Sequence, residues 1–290
     1  MNDSPHHTRL PAALYVIATP IGNLGDITLR ALDTLRAVDR VAAEDTRVSG
    51  ALLAHFNIKK PLVSIREHNE LNAAHKVIEQ IAAGEAVAYV SDAGTPAISD
   101  PGARLVAAVR AAGLGVVPLP GASAVTTALS AAGVGQGAWL FHGFLPPKSG
   151  ARKQVLHGLS GVDAALVFYE APHRIVETVD DMVAVLDPAR LLTIARELTK
   201  LYETIVTLPL TQAPTWLASD PNHLRGEFVL VVHPPGVAES ADDAEAQRVL
   251  TILLSELPAS VASKLTAQLT GRKKAELYKM ALAMKPEDDA

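Results

Sequence analysis

The sequence predicts an α/β protein: two successive α/β domains with a small helical unit after them. Three observations predict it. Short β-branched runs alternate with helical stretches through the first half, the pattern of a largely parallel sheet with helices on both faces. A break rich in glycine and proline, Gly133–Gly137 and then Pro146–Gly150, separates that half from a second, less regular set of strands and helices. Beyond His233-Pro234-Pro235-Gly236 the strand signals stop, and the composition turns acidic and then basic. The expected division is 1–12 as a loose extension, 13–135 and 136–236 as two α/β domains, 237–257 as an acidic linker and 258–290 as a basic helical tail.

Leu14–Ala18 reads as a strand, and Ile27–Ala37 as a helix with apolar residues at Leu29, Leu32 and Leu35. Arg40–Ala43 and Pro61–Ser64 are short strands. Ala73–Ala83 is a helix stopped by Gly84, and Ala86–Val90 a buried strand. Pro101–Ala112 is a helix with Asp100 at its N-cap, Pro101 at its first position and Gly113 past its end. Val116–Leu119 is a strand and Ala122–Ala131 a helix of small residues. The second domain offers strands at Ala164–Tyr169, Leu191–Arg196, Tyr202–Thr207 and Phe228–His233, with helices at Arg174–Leu186 and about Thr211–Ala218. Mixed strand directions are expected there. The tail holds two helices, Ala259–Leu269 and Lys273–Met284, joined at Thr270-Gly271 like a helix-turn-helix unit.

Composition narrows the function. The 290 residues include no cysteine, which excludes disulfides, thiolate zinc sites and cysteine nucleophiles and fits a reducing cytoplasm. A formal net charge of −5 argues against a protein that coats nucleic acid through bulk electrostatics. A local basic surface is still available: Pro258–Lys285 carries Lys264, Arg272, Lys273, Lys274, Lys279 and Lys285 against Glu276 alone. No apolar run is long enough to span a bilayer, and residues 1–11 contain no signal-peptide core.

Ligands of open α/β sheets sit where strands end and helix N-termini and loop amides converge. Four such places are rich in small, turn-forming or charged residues. Thr19-Pro20-Ile21-Gly22-Asn23-Leu24-Gly25-Asp26 has neither the lysine of a P-loop nor the spacing of a Rossmann fingerprint. Asp26 can cap the following helix or touch a ligand. Ser91-Asp92-Ala93-Gly94-Thr95-Pro96-Ala97-Ile98-Ser99-Asp100-Pro101-Gly102 keeps loop chemistry over its whole length, where a plain turn needs two or three such residues. Gly94 and Pro96 can bring backbone groups to the polar ends of a small ligand, with Ile98 against its apolar part. In Pro118-Leu119-Pro120-Gly121-Ala122-Ser123-Ala124, Ser123 and the first helical amides can meet a carboxylate or hydroxyl, or serve only as a cap. Last, Glu44-Asp45-Thr46-Arg47 and Glu67-His68-Asn69-Glu70 gather charge at two more strand ends. Asp45, Glu67 and His68 are candidates to hold or move a proton, and Arg47 to grip a phosphate. In the second domain Glu170, Arg174, Arg196, Glu197 and Glu227 can pair among themselves or act on a ligand.

At these loops the chain resembles the tetrapyrrole methylase superfamily, and within it the branch that methylates the ribose 2′-hydroxyl of a cytidine in 16S ribosomal RNA. The strings that carry the resemblance are TPIGNLGDITLRAL, AAEDTR, EHNE, SDAGTPAISDPG, LPGASA, FYEAPHR, RELTKLYE and GEFVLVV, in that order from about Leu14 to His233. The basic helical tail to Met284 matches as well. The resemblance implies two α/β domains with S-adenosylmethionine in the cleft between them, a homodimer, and the small ribosomal subunit as partner. By position it implies cofactor contacts from Gly94, Thr95, Pro96, Ile98, Ser123 and Ala124, with Ala171 and Leu198 closing the site from the second domain. Many tetrapyrrole methylases read Gly-Asp-Pro where this chain has Gly94-Thr95-Pro96, so no aspartate contact carries over there. Asp92 is the substitute this chain offers.

Methyl transfer from a sulfonium needs neither a covalent nucleophile nor a metal. It needs alignment, exclusion of water and an acceptor for the hydroxyl proton, the last contributing on the order of 10²-fold. A methylase acting on a tetrapyrrole or other small molecule, and a non-catalytic ribosome-assembly factor of the same fold, are the two other readings these residues allow.

Overall fold

The computed structural model describes residues 9–65, 70–99, 102–135, 137–235 and 241–284. The chain divides into two compact units, Met1–Pro234 and Pro235–Ala290.

The first unit contains two sheets. Strands β1 (Leu14–Ile17), β2 (Arg40–Ala43), β3 (Leu62–Ser64), β4 (Val87–Val90) and β5 (Val116–Leu119) form the first, in the order β3-β2-β4-β1-β5 with every pair parallel. Helices α1 (Leu29–Ala37) and α2 (Thr46–His55) lie with one face of this sheet, and α3 (Glu70–Ala82) and α4 (Ala103–Ala111) with the other. The two cores follow strand alternation: Tyr15 and Ile17 belong to one, Leu14 to the other. Helix α5 (Ala124–Ala132) leaves β5 and ends at Gly133, which is left-handed at φ 67°.

Two expectations about α1 change. Leu29 is 80% exposed; Ala31, Leu32 and Leu35 make the buried stripe. The cap is Thr28, whose Oγ1 accepts the Ala31 amide at 3.1 Å, while Asp26 sits in a preceding single turn. Helix α2 is absent from the sequence prediction because it buries only Ser49 and Leu53, too little to write a stripe. Asp100 and Pro101, expected to open α4, lie outside the described residues.

The second sheet runs β6-β7-β10-β8-β9, from β6 (Trp139–Phe144), β7 (Ala165–Glu170), β8 (Leu191–Arg196), β9 (Thr204–Pro209) and β10 (Phe228–Val232). Only β6 and β7 are parallel; the other pairs are antiparallel. One face is covered by α6 (Ser149–Leu159), α7 (Ile175–Val185) and α8 (Ala213–Ser219) around Leu156, Phe168, Val179 and Leu230. The other face receives α5: Val125, Ala128 and Ala132 pack with Val167, Ala195 and Val231. A helix fed by the first sheet therefore fixes the second, each fully buried valine contributing about 1.5–3 kcal/mol. Strand β6 and helix α6 do not show in the sequence. Gly143 breaks the alternation of β6 at φ 82°, where the register shifts, and α6 fills a buried position with Arg152.

His233 follows β10, and its Nε2 lies 2.8 Å from Thr193 Oγ1, itself 2.7 Å from Thr207 Oγ1. Burial pushes the imidazole below its ordinary value of 6.5. The folded chain thus favours the neutral ring, and this contribution is intact above about pH 6.5 and lost as pH falls through the depressed value. Thermal melts should show Tm falling across that window in the wild type and less so in His233→Gln. An equal slope in both would remove His233 from the account.

The second unit has three helices among the described residues, α9 (Ala241–Leu254), α10 (Ala259–Thr270) and α11 (Lys274–Ala283). Most of the stretch read as an acidic linker is helical: Ala246 is buried, and Leu250 belongs to the same small core as Ala262 and Ala281. Gly271, left-handed at φ 73°, ends α10 and lets the chain turn into α11. Lys264, Lys273, Lys274 and Lys279 are exposed, and Arg272 reaches Glu276 at 3.4 Å. Lys285 lies outside the described residues. No helix of the described residues is long and apolar enough to cross a membrane.

Candidate functional site

Because β4, β1 and β5 are adjacent and parallel, the loops that follow them leave the same edge of the sheet. They are tied together there. Thr19 and Gly94 exchange two backbone hydrogen bonds of 2.9 Å, and Thr19 Oγ1 donates to the Ser91 carbonyl at 3.2 Å. Thr95 Oγ1 donates to the Ala122 carbonyl at 3.0 Å, which gives the threonine in Gly94-Thr95-Pro96 a structural task. Gly121 must lack a side chain, since a Cβ there would stand 2.8 Å from that of Ala18. The middle loop is strained: Ala97 and Ser99 hold φ of 67° and 64°, a region that costs a non-glycine residue about 1–2 kcal/mol.

The second sheet supplies the opposite wall. Strand β10 runs antiparallel to β7 and β8, so its first residue, Phe228, pairs with the last residues of both, Glu170 and Arg196. That reversal brings three segments distant in sequence to one place: Tyr169 to Pro172, Glu197 to Lys200, and Gly226 to Val229. Between the walls is a cavity of about 320 Å³, within the range of small-molecule sites. Ile21, Ala93, Gly94, Thr95, Ile98, Ser99, Ser123 and Ala124 line it from the first domain. Phe144, Tyr169, Ala171, Leu198, Lys200 and Glu227 are among the residues that line it from the second.

Charge in the cavity is arranged around Lys200. Its ammonium donates to Glu197 Oε1 at 2.8 Å and to Glu227 Oε2 at 2.7 Å. Burial by itself lowers the lysine, but the two carboxylates outweigh it and hold the ammonium above its ordinary value. Burial likewise works to raise the Glu197 carboxyl, and Lys200, the Glu227 amide and Arg196 bring it below the usual range. The mount is rigid. Glu197 and Thr199 are left-handed at φ 53° and 66°, and any Cβ on Gly226 would strike the Glu197 carboxylate. A Cβ on Gly22 would come 2.5 Å from Lys200 Cγ, so the first loop closes directly over this lysine.

Of the residues expected to hold a cofactor, Gly94, Thr95, Ile98, Ser123, Ala124, Ala171 and Leu198 line the cavity. Ser123 occupies the N-cap position of α5 yet makes no capping hydrogen bond with its side chain. Pro96 is buried and is not among the lining residues. Asp45 and Arg47 are not part of the wall. Asp45 caps α2 through the Arg47 amide at 2.8 Å and pairs with the exposed Arg47 guanidinium. Asp92, the substitute for a cofactor aspartate, accepts the Asp45 amide with its Oδ1 at 3.0 Å and is not among the residues that line the cavity. Glu67 and His68 lie outside the described residues. The second-domain charges are paired, Glu170 with Arg174 at 3.2 Å and Glu197 and Glu227 through Lys200. Arg196 turns instead to the Arg225 and Tyr202 carbonyls.

Sequence reasoning had no means to place Lys200 and Glu227 together; both stood in motif strings, but 27 residues apart. Phe144 was missed with its strand, although the aromatic run from Trp139 was a usable signal.

Comparison with known proteins fits this architecture. The model of the tetrapyrrole (corrin/porphyrin) methylases matches residues 13–214, and that of the RsmI C-terminal HTH domain matches 240–285. The ribosomal RNA small subunit methyltransferase I of Haemophilus influenzae is 48% identical over 278 residues, covering 95% of this chain and 98% of the relative. That of Vibrio cholerae is 50% identical over 272 residues, covering 93% and 94%. Among solved structures, a uroporphyrin-III C-methyltransferase from Thermus thermophilus superposes with a TM-score of 0.54 at 21% identity, over 76% of this chain and 93% of that one. With both strand-end loops and helical tail accounted for, the chain belongs to the tetrapyrrole methylase family, in the group of the small subunit ribosomal RNA methyltransferases I.

Proposed function

We propose that this protein transfers a methyl group from S-adenosylmethionine to the 2′-hydroxyl of a cytidine ribose in 16S ribosomal RNA, in the cytoplasm and as a homodimer. One observation carries the reading: a cavity walled by the three strand-end loops and closed by the second domain, in a chain 48–50% identical to proteins bearing that name. The cavity suits the donor. Small residues (Ala93, Gly94, Ala124) allow close approach of backbone groups, and Ile98 and Leu198 offer apolar surface. When bound, the donor supplies an electrophilic methyl group. The chain's share is to hold it, align the ribose oxygen and exclude water.

We assign 13–135 and 136–236 to the two walls of this site and 258–290 to RNA contact. Arg47, exposed beside Asp45 on the same sheet edge, is a phosphate contact in this reading, with Asp45 as its mount. Leu201 (88% exposed), Tyr202 (68%) and Ile205 (37%) form an apolar strip at the start of the edge strand β9 that supports pairing of two copies. Sedimentation should find dimers that Leu201→Glu with Tyr202→Glu converts to monomers.

The test is transfer of labelled methyl from S-adenosylmethionine, offered in parallel to small ribosomal subunits and to tetrapyrroles. Label at a cytidine 2′-oxygen of the RNA is expected. Label in a tetrapyrrole, or in neither, overturns the proposal. Reversing Lys264, Lys273, Lys274 and Lys279 to Glu should weaken ribosomal subunit binding at least tenfold, since each phosphate contact adds counterion release, and leave donor affinity unchanged. Equal binding would free the tail from this role.

A further inference from the structure

If the acceptor is a ribose hydroxyl, its proton must go to a group that meets the substrate in the cavity. Among the described residues, Tyr169, Glu170, Lys200 and Glu227 are the ionisable side chains that line it. Three are unsuited. Tyr169 offers a phenol, a proton donor at neutral pH, set edge-on against Phe141 and Phe144. Lys200 is held charged between two carboxylates. Glu170 is 2% exposed and its oxygens are taken: Oε1 by the Ala171 amide at 2.8 Å and Arg174, Oε2 by the Thr178 hydroxyl at 2.6 Å. Glu227 differs. Its side chain is 78% exposed, and the Lys200 ammonium donates to Oε2 rather than Oε1. Its backbone is fixed by paired hydrogen bonds with Glu197, amide to carbonyl at 2.9 Å and amide to carboxylate at 3.0 Å.

We infer that Glu227 is the catalytic base, oriented by Lys200 and Glu197. This rests on the reading of the chain as a ribose 2′-O-methylase. In the step, the 2′-oxygen bonds to the methyl carbon while the carbon–sulfur bond breaks and its electron pair stays on sulfur. The hydroxyl proton passes to Glu227 and then to solvent. Lys200, already paired with Glu197, keeps Glu227 in place.

The experiment is single-turnover methyl transfer from S-adenosylmethionine to unmethylated small ribosomal subunits, followed against pH for wild type, Glu227→Gln, Glu227→Asp and His68→Ala. Donor and subunit affinities are measured separately by calorimetry and filter binding. Glu227→Gln keeps the hydrogen bond to Lys200 and should lose about 100-fold in rate with both affinities within threefold. It should also lose the acid limb of the pH profile, which Glu227→Asp partly retains. A wild-type rate in Glu227→Gln, loss of donor binding in that variant, or disappearance of the acid limb in His68→Ala instead would overturn the assignment. A wild-type protein that binds the donor but leaves the RNA unlabelled would overturn the underlying reading, and this inference with it.

Discussion

Gly94→Val weakens S-adenosylmethionine binding about 10- to 100-fold while the protein stays folded: this is the expected result of adding a branched side chain at the centre of the site. Gly94 is left-handed at φ 76°, where an L-residue costs about 1–2 kcal/mol and a β-branched one more. Its Cβ would also stand 3.3 Å from Ile21 Cγ2. Relief of that strain means leaving the left-handed region, which turns the peptide and undoes the paired 2.9 Å bonds to Thr19. The loop backbone then no longer keeps its place in the cavity wall, and each 1.4 kcal/mol of mismatch is a factor of about ten in Kd. Calorimetric titration reads the effect directly. Gly135→Val is the control, since a Cβ there meets nothing within 4 Å. Wild-type affinity in Gly94→Val would take this loop out of the donor site.

Asp181→Ala should destabilise the first unit by about 3–5 kcal/mol, the usual cost of stranding one partner of a buried pair. Arg152 is fully buried in α6, and its Nε donates to Asp181 Oδ2 at 2.6 Å. Ser149 and Lys153 share the other carboxylate oxygen at 3.0 and 3.3 Å. Without Asp181 the guanidinium keeps only a 3.4 Å contact to the Pro147 carbonyl and a 3.5 Å approach to the exposed Glu177. Replacing both partners, Arg152→Met with Asp181→Leu, should recover most of the loss, because no charge is then left in the core. Urea unfolding of the three variants tests this; a double variant as unstable as the single one would contradict it. The same pair sets an acid limit. Burial works to raise the Asp181 carboxyl, yet Arg152, Ser149 and Lys153 together hold it below its ordinary 3.8. Its contribution is therefore whole above about pH 4 and lost as pH falls through the depressed value.

Much of the architecture was written locally. The five strands of the first sheet and four of the second were legible because buried strands are short apolar runs between turn residues. Thr19 to Gly22, the Gly94 loop and Gly121 were legible for a related reason: positive φ and close backbone approach admit few residue types, so the geometry leaves a compositional trace. Three of the elements that went unseen bury little that is apolar. Helix α6 buries an arginine, α2 buries a serine and one leucine, and β6 is an edge strand interrupted by Gly143.

Charge was the other thing local sequence left ambiguous. Asp45 and Arg47 read as separate charged groups, and the structure pairs them at the start of α2. Glu227 read as one of several second-domain charges able to pair or to act on a ligand, and Lys200 stood only within a motif string. Local sequence alone determined the layered α/β class and the loops fit to meet a ligand through their backbone, since φ, turn type and apolar period are properties of a few neighbouring residues. Only the tertiary structure decided which ionisable groups line the cavity. The reversal of β10 against β7 and β8 sets Glu227 beside Lys200, and strand direction is settled by the packing of the whole sheet.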